Sequence, residues 1–252
     1  MNKRIDKADS DAEKYYDLEG ERITMFKDYS KASIIFEIKR FLYFLDLINK
    51  NISSKRKNIK ILDLGCGDGQ FLEMLQKKGF NNLYGLDISL TRVKRARQLT
   101  GLDAKRIKKG FAEKTPFQSG FFDIIICSEV IEHVKNPEEI VSEIHRLLKK
   151  GGFFILATPI EEKLSYHRCV HCLEITPSSG HLHSFKLVDL KEMLSKAGLK
   201  YFKHFYLICN VNPFFFLNGL VGVMPFSIFK VLNDQALAKA KRYWVIITGR
   251  KN

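Results

Sequence analysis

The chain has 252 residues and a mass of 29.2 kDa, which suits one α/β domain with insertions and is short for two. With 45% hydrophobic, 12% aromatic and 28% charged residues it is neither disordered nor collagen-like, and the charged fraction argues against a polytopic membrane protein. Lys and Arg number 42 against 28 Asp and Glu, and the resulting +14 suggests attraction to phosphate, nucleic acid or anionic lipid while leaving the fold open.

Residues 1–30 mix both charges and contain no apolar stretch that could act as a signal-peptide core. With Tyr15, Tyr16, Leu18, Ile23, Met25 and Phe26 as its main apolar anchors, this stretch is expected to be a poorly ordered or lid-like arm. From 31 to about 51, Ile34, Ile38, Phe41, Leu45 and Ile48 recur at steps of three and four and Leu42 widens the stripe, the period of an amphipathic helix. A basic linker through Ser53, Ser54 and Lys55 ends at Lys60. The pattern then alternates: strand 61–64, helix 70–78, strand 82–87, basic helix 90–100, strand 104–109, strand 123–128, helix 137–149, strand 153–158 and helix 187–197. Such alternation implies right-handed βαβ units and a mostly parallel sheet with helices on both faces. Stretches 201–211 and 243–248 also read as strands, but no ordinary crossover joins them, so they form an antiparallel edge pair with 212–240 inserted. The organisation is thus an N-terminal helical arm, 1–57, and a domain over 58–252 with insertions at 159–185 and 212–240.

The strongest chemical signal is Asp63-Leu64-Gly65-Cys66-Gly67-Asp68-Gly69-Gln70, directly after a buried strand and before a helix. Alternate glycines let backbone approach a ligand at the helix N-terminus. A dinucleotide fingerprint would need glycine where Gln70 stands, which weakens that reading. Asp87 ends the next strand, where a ribose diol would donate hydrogen bonds to it.

These residues resemble the class I S-adenosylmethionine-dependent methyltransferases, whose first motif is similar to Asp63-x-Gly65-x-Gly67-x-Gly69. The likeness continues through Gly110 to Phe117, Phe121-Phe122-Asp123, Ser128-Glu129-Val130-Ile131-Glu132-His133-Val134, Leu147 to Gly152 and Thr158-Pro159. It covers about residues 58–200. The resemblance implies a Rossmann-like, doubly wound, seven-stranded sheet with an antiparallel last strand, and S-adenosylmethionine as cofactor. It also implies that Asp63 and the loop Gly65, Cys66, Gly67, Gly69 hold the methionine part, Asp87 the ribose and Ile88 the adenine, with Ser128 nearby. One departure is Phe111, where the family commonly carries an acidic residue for the adenine amine; Phe111 would instead pack on the ring while the Ala112 backbone reads the amine.

For chemistry, Glu129, Glu132 and His133 follow the fourth strand, with Glu129 and His133 spaced to share a helical face. Two carboxylates and an imidazole suit a divalent cation or acid–base work. They resemble the Glu-x-x-Glu-His set of metal-dependent O-methyltransferases, including ubiquinone-pathway and small-RNA 2′-O-methyltransferases, which bring a further ligand from later in the chain; His181 or His183 would supply it. Members without a metal use the histidine as a pocket or capping residue. A second constellation, Cys169 and Cys172 with His181 and His183, has zinc-ligand spacing and could staple the long loop, or remain free thiols. Five scattered cysteines point to a reducing, cytoplasmic compartment.

The uncharged run 207–229 has the length of a membrane span, but Asn210, Asn212, Pro213, Asn218 and Pro225 break it and the returning strand forbids a single crossing. Its aromatic and aliphatic side chains, Phe226 among them, are expected to roof the acceptor site or to bury themselves on the N-terminal helix. Basic residues concentrate at 92–109, in the linker and near the last strand, where they could meet an anionic membrane surface peripherally. The reading is a methyltransferase for a small, apolar or lipid-linked acceptor, most simply at oxygen. A metal-dependent RNA 2′-O-methyltransferase and a non-catalytic, zinc-stapled interaction module are the alternatives.

Overall fold

The computed structural model describes residues 2–52, 58–168, 173, 175–177, 179–208, 225–226 and 243–252. Seven strands form one sheet: β1 (Lys60–Leu64), β2 (Asn82–Asp87), β3 (Ile107–Lys109), β4 (Phe122–Ser128), β5 (Leu148–Ile160), β8 (Leu199–Ile208) and β9 (Tyr243–Lys251). Two more, β6 (Tyr166–Arg168) and β7 (Ile175–Pro177), make a small antiparallel hairpin of their own. The main sheet runs β3-β2-β1-β4-β5-β9-β8, parallel from β3 to β5, with β9 antiparallel to both its neighbours. The expected antiparallel pair is present, but only β8 is at the edge; β9 is interior, sealed between β5 and β8.

Helices cover both faces, which is why the central strands are apolar on both sides. Ile61, Ile124, Ile126 and Phe153 pack with α3 (Lys31–Asn51), α4 (Gln70–Lys77) and α5 (Leu90–Thr100), whereas Leu62, Leu64, Ile125 and Phe154 pack with α6 (Pro137–Leu147) and α7 (Leu187–Lys196). The period-two alternation of each strand therefore sorts two cores. Ser89 caps α5 by accepting the Arg92 amide at 3.3 Å, and Gly101 closes it in the left-handed conformation.

Several boundaries differ from those read in the sequence. Residues 104–106 do not join β3, because the Asp103 carboxylate accepts the amides of Lys105 and Arg106 and holds them in a turn. The helix expected over 137–149 stops at Leu147, and β5 begins at Leu148 because Leu148 already pairs with Phe122. The N-terminal arm is helical, α1 (Asn2–Arg22) and α2 (Met25–Asp28), and α1 lies against α5. Most of the 212–240 insertion lies outside the described residues; Phe226, which is described, meets Tyr43 edge-on at 5.8 Å and packs on the α3 side of the core. Among the described residues no helix is long and apolar enough to cross a membrane.

Candidate active site

The loops leaving β1, β2, β3 and β4 open into a cavity of about 420 Å³, closed from above by α1 and α3. Parallel strands with helices on both faces place such a crevice at their C-terminal ends. Gly65 and Cys66 donate their amides to the Leu86 carbonyl at 2.8 and 2.9 Å, pinning the glycine loop to β2. Asp87 then accepts the Gly67 and Ser89 amides, both at 2.9 Å, so the acidic strand end and the loop are one unit.

Two glycines show different demands. A Cβ on Gly65, at φ 85°, would sit 2.2 Å from Val130 Cγ2, so packing inside the protein requires glycine there. On Gly67, at φ 53°, a Cβ would meet nothing nearer than Arg92 Nη1 at 4.0 Å and would project toward open space. That open cradle is what a ligand lying on the loop needs. Burial and the neighbouring Asp87 carboxylate push the Asp63 carboxyl up to about 8, so Asp63 is poised to ionise when a cation arrives. Ser128 Oγ is buried with no hydrogen-bond partner in the same wall. A sulfonium- and ammonium-bearing adenosyl cofactor fits this donor set and these charges.

Of the residues read as cofactor-binding, Asp63, Gly65, Cys66, Gly67, Asp87, Ile88, Phe111, Ala112 and Ser128 line the cavity. Gly69 does not: its open face is turned to Ala96 of α5, 3.0 Å from where a Cβ would be, so it serves the packing of α4 on α5.

The candidate catalytic residues separate into two groups. Glu129, in the left-handed region at φ 56°, lines the cavity. Its Oε1 accepts the Trp244 indole N–H and forms an ion pair with Arg40 Nη1 at 3.0 Å. Such a backbone conformation in a non-glycine residue costs about 1–3 kcal/mol and commonly marks a working position. Burial lifts Glu129 to about 7 against the opposing pull of Arg40. Arg40 also pairs with Glu37, one turn earlier on α3, and its Nε and Nη1 lack a hydrogen-bond partner among the described residues.

Glu132 and His133 sit on the 3-10 turn Ile131–His133 and meet His181, their ligating atoms all within 4.8 Å of one another. Glu132 is fully buried; Oε2 accepts the Thr158 hydroxyl at 3.1 Å, and Oε1 has no hydrogen-bond partner among the described residues. Burial, reinforced by Glu129, holds its carboxyl well above the usual carboxylate range. His133 Nδ1 lies 3.1 Å from the Gly180 carbonyl. A carbonyl only accepts, so the proton is on Nδ1 and Nε2 carries a lone pair. Burial and His181 lower the His133 imidazole to about 4, keeping it neutral. The segment carrying His181 is zipped to this turn: the Leu182 and His183 amides donate to the Glu132 carbonyl at 2.7 and 3.2 Å.

The staple expected from Cys169, Cys172 and one or both of His181 and His183 falls largely outside the described residues, which include neither cysteine; of the two histidines, His183 Nε2 lies 2.8 Å from the Val134 carbonyl and His181 Nδ1 lies 2.5 Å from Glu162 Oε2. Glu129 does not join Glu132 and His133 in the ligand cluster, because Arg40 and Trp244 hold it elsewhere.

Residues 12–29 complete the roof through Ala12, Tyr15, Tyr16, Glu19, Ile23 and Tyr29. Asp17 accepts the Ser89 hydroxyl at 2.8 Å and the Thr91 amide at 3.3 Å, Glu19 pairs with Arg92 at 2.8 Å, and Lys109 pairs with Glu13. Tyr16 meets the His133 ring edge-on at 5.8 Å. Arg40, Trp244 and the individual ion pairs of this clasp carry no motif that marks them in the sequence.

A parallel sheet closed by an antiparallel strand, with an acidic β2 end and a glycine cradle after β1, defines a Rossmann-like S-adenosylmethionine site. The methyltransferase-domain family matches residues 36–204, and the chain belongs to that family: it is an S-adenosylmethionine-dependent methyltransferase. An uncharacterised protein of Methanocaldococcus jannaschii is 28% identical over 219 residues, 87% of this chain and 82% of that one. The mitochondrial ubiquinone biosynthesis O-methyltransferase of Saccharomyces cerevisiae is 30% identical over 190 residues, 69% of this chain and 61% of its own length. The ubiquinone enzyme of Pseudomonas aeruginosa UCBPP-PA14 is 30% identical over 132 residues, and the chain spans 55% of it. Among solved structures, an S-adenosylmethionine-dependent methyltransferase from Mesorhizobium loti superposes with a TM-score of 0.56 at 15% identity, covering 82% of this chain and 96% of that one. The cyclase SpnF reaches 0.55 at 18% identity, over 83% and 80%, so the fold by itself does not choose the reaction.

Proposed function

We propose that the chain transfers the methyl group to a hydroxyl oxygen of a small, apolar or lipid-linked acceptor, assisted by a divalent cation at Glu132, His133 and His181. The observation that carries this reading is a cavity-lining carboxylate held near neutrality, Glu129, beside a cluster whose donors are two imidazoles and one carboxylate. Such a donor set suits borderline divalent metals and leaves open coordination positions. When bound, the cation would lower the pKa of an acceptor hydroxyl as a Lewis acid. Methyl transfer is an in-line displacement: the acceptor oxygen forms a bond to the methyl carbon, the carbon–sulfur bond breaks, and neutral S-adenosylhomocysteine leaves. The hydroxyl proton goes to Glu129 Oε2, since both contacts from Arg40 and Trp244 fall on Oε1.

An apolar acceptor is supported by the wall of Tyr15, Tyr16, Tyr29, Phe41, Phe44 and Leu182. It agrees with the activity of the similar ubiquinone biosynthesis O-methyltransferases. The β6–β7 hairpin leads into the His181 segment and exposes Tyr166, Leu173 and Ile175 at 56, 63 and 63% near Lys163 and Arg168. This surface supports peripheral docking of a cytoplasmic enzyme on an anionic membrane. The test is a labelled-methyl transfer assay on the lipid, small-molecule and RNA fractions of the source cell. Base-stable label in the lipid or small-molecule fraction is expected; label confined to RNA overturns the acceptor class.

A further inference from the structure

Both histidines of the Glu132–His133–His181 cluster are anchored in the same way. His133 donates Nδ1–H to the Gly180 carbonyl, and His181 Nδ1 lies 2.5 Å from Glu162 Oε2. A carboxylate oxygen only accepts, so His181 also carries a proton on Nδ1, and Nε2 is the atom left to face a ligand. Glu132 is fixed through Oε2 by Thr158 and leaves Oε1 without a hydrogen-bond partner. Glu132, His133 and His181 thus each offer one ligand atom within 4.8 Å of the others, Glu132 buried and both histidines partly buried, and each group has another atom tied down. A divalent cation suits such a set of donors. The two anchors differ, however. Gly180 offers His133 a neutral carbonyl, whereas Glu162 offers His181 a charge, and a carboxylate behind an imidazole raises the basicity of its far nitrogen as well as fixing the ring.

We infer that Glu162 is a positioning residue: through His181 Nδ1 it orients that ring and strengthens its Nε2 as a ligand, while Glu129 stands outside the ligand set. The inference rests on the cation reading above. Glu162 comes from the segment just after β5 and reaches His181 across 19 residues of chain, so the hairpin between them is the connection that brings base and ligand together. Glu129 is instead held at Oε1 by Arg40 and Trp244. In a family whose resemblance implies a two-carboxylate set, this chain uses one carboxylate as ligand and a second, Glu162, behind the ligand.

The test is a Mn²⁺ titration of the chelator-stripped full chain, read by electron paramagnetic resonance, with S-adenosylmethionine affinity measured by calorimetry on each variant. Glu162→Gln, which can still accept the Nδ1 proton but carries no charge, weakens Mn²⁺ about tenfold, and Glu162→Ala about a hundredfold. Cofactor affinity stays within about twofold of wild type in both, because the cofactor cradle is built from β1 and β2. Glu129→Gln leaves Mn²⁺ affinity within about twofold, while Glu132→Gln and His181→Ala lose it. Unchanged Mn²⁺ binding in Glu162→Ala overturns the role of Glu162, and a loss in Glu129→Gln equal to that in Glu132→Gln overturns the ligand assignment. A wild-type chain that binds the cofactor but takes up no Mn²⁺ removes the cation reading itself, a separate and recognisable failure.

Discussion

Gly65 and Gly67 stand two positions apart in one loop, yet the structure asks different things of them. Adding a methyl group at Gly65 drives it into Val130, so Gly65→Ala is expected to lose about 3 kcal/mol of stability, as overpacking at a strained backbone does. At Gly67 the same change meets open space and costs only the left-handed backbone, about 1 kcal/mol, while obstructing the cofactor. Thermal melts and calorimetry on the pair should separate the roles: a large fall in melting temperature for Gly65→Ala, a large fall in S-adenosylmethionine affinity for Gly67→Ala. Equal effects on both measurements would refute the distinction. Glu129 sets the pH behaviour. Its carboxyl is raised to about 7, and a proton acceptor works only when ionised, so the rate should climb as pH rises through about 7. Glu129→Gln should flatten that limb and lower kcat by about a hundredfold. A wild-type rate that is flat between pH 6 and 8 would exclude Glu129 as the proton acceptor. At this scale the glycine loop and Asp87 were legible because motif and function lie in one short stretch. Arg40, Trp244 and Glu162 were not, because each reaches the site from a distant segment and carries no local signature.

Among the elements, α1 shows how a polar sequence becomes a roof. Its contacts to α5 are partly exposed ion pairs and hydrogen bonds, each worth only some tenths of a kcal/mol, and the buried Gly20 allows the close approach. A Cβ at Gly20 would lie 3.0 Å from Ser89 Oγ and 3.2 Å from Arg92 Cγ, so Gly20→Leu should unseat α1 without touching the sheet. S-adenosylmethionine should then bind about tenfold more weakly with the melting temperature nearly unchanged. Unaltered affinity by calorimetry would show that α1 does not close the site. Residues 1–30 were read as a poorly ordered or lid-like part of a helical arm, and the long first helix Asn2–Arg22 was not legible in them, since their many charges obscure any apolar stripe. Helix α3 was the opposite case, its stripe readable end to end.

For the whole molecule, the alternation of strands and helices carried the fold because each βαβ unit is local in sequence and its handedness is fixed. The order of the last two strands was not readable, since pairing alone cannot say which member faces β5. The net +14 resolves into structural duties as well as surface: Arg97 donates to the Ile107 carbonyl at 3.1 and 2.7 Å, blunting the β3 edge, and Arg40 is buried in the site. Because the cofactor joins loops from several strands, it should stabilise the fold as a unit. At a concentration one hundred times its Kd, S-adenosylmethionine contributes about 2.7 kcal/mol, a rise in melting temperature of about 5–10 °C. Asp87→Ala should abolish most of that rise in a thermal-shift titration; a full rise in the variant would separate Asp87 from the cofactor.

The interior place of β9 also has a consequence for how the enzyme comes to be. Until β9 arrives, the edge of β5 from Phe153 to Ile160 has no partner, and the folding chain carries an apolar strand edge of the kind that seeds aggregation. The same late event delivers Trp244 to Glu129 across 115 residues, a contact of high closure entropy. Covering of the β5 edge and the Trp244 contact to Glu129 thus depend on the same strand, so the two are made together or not at all.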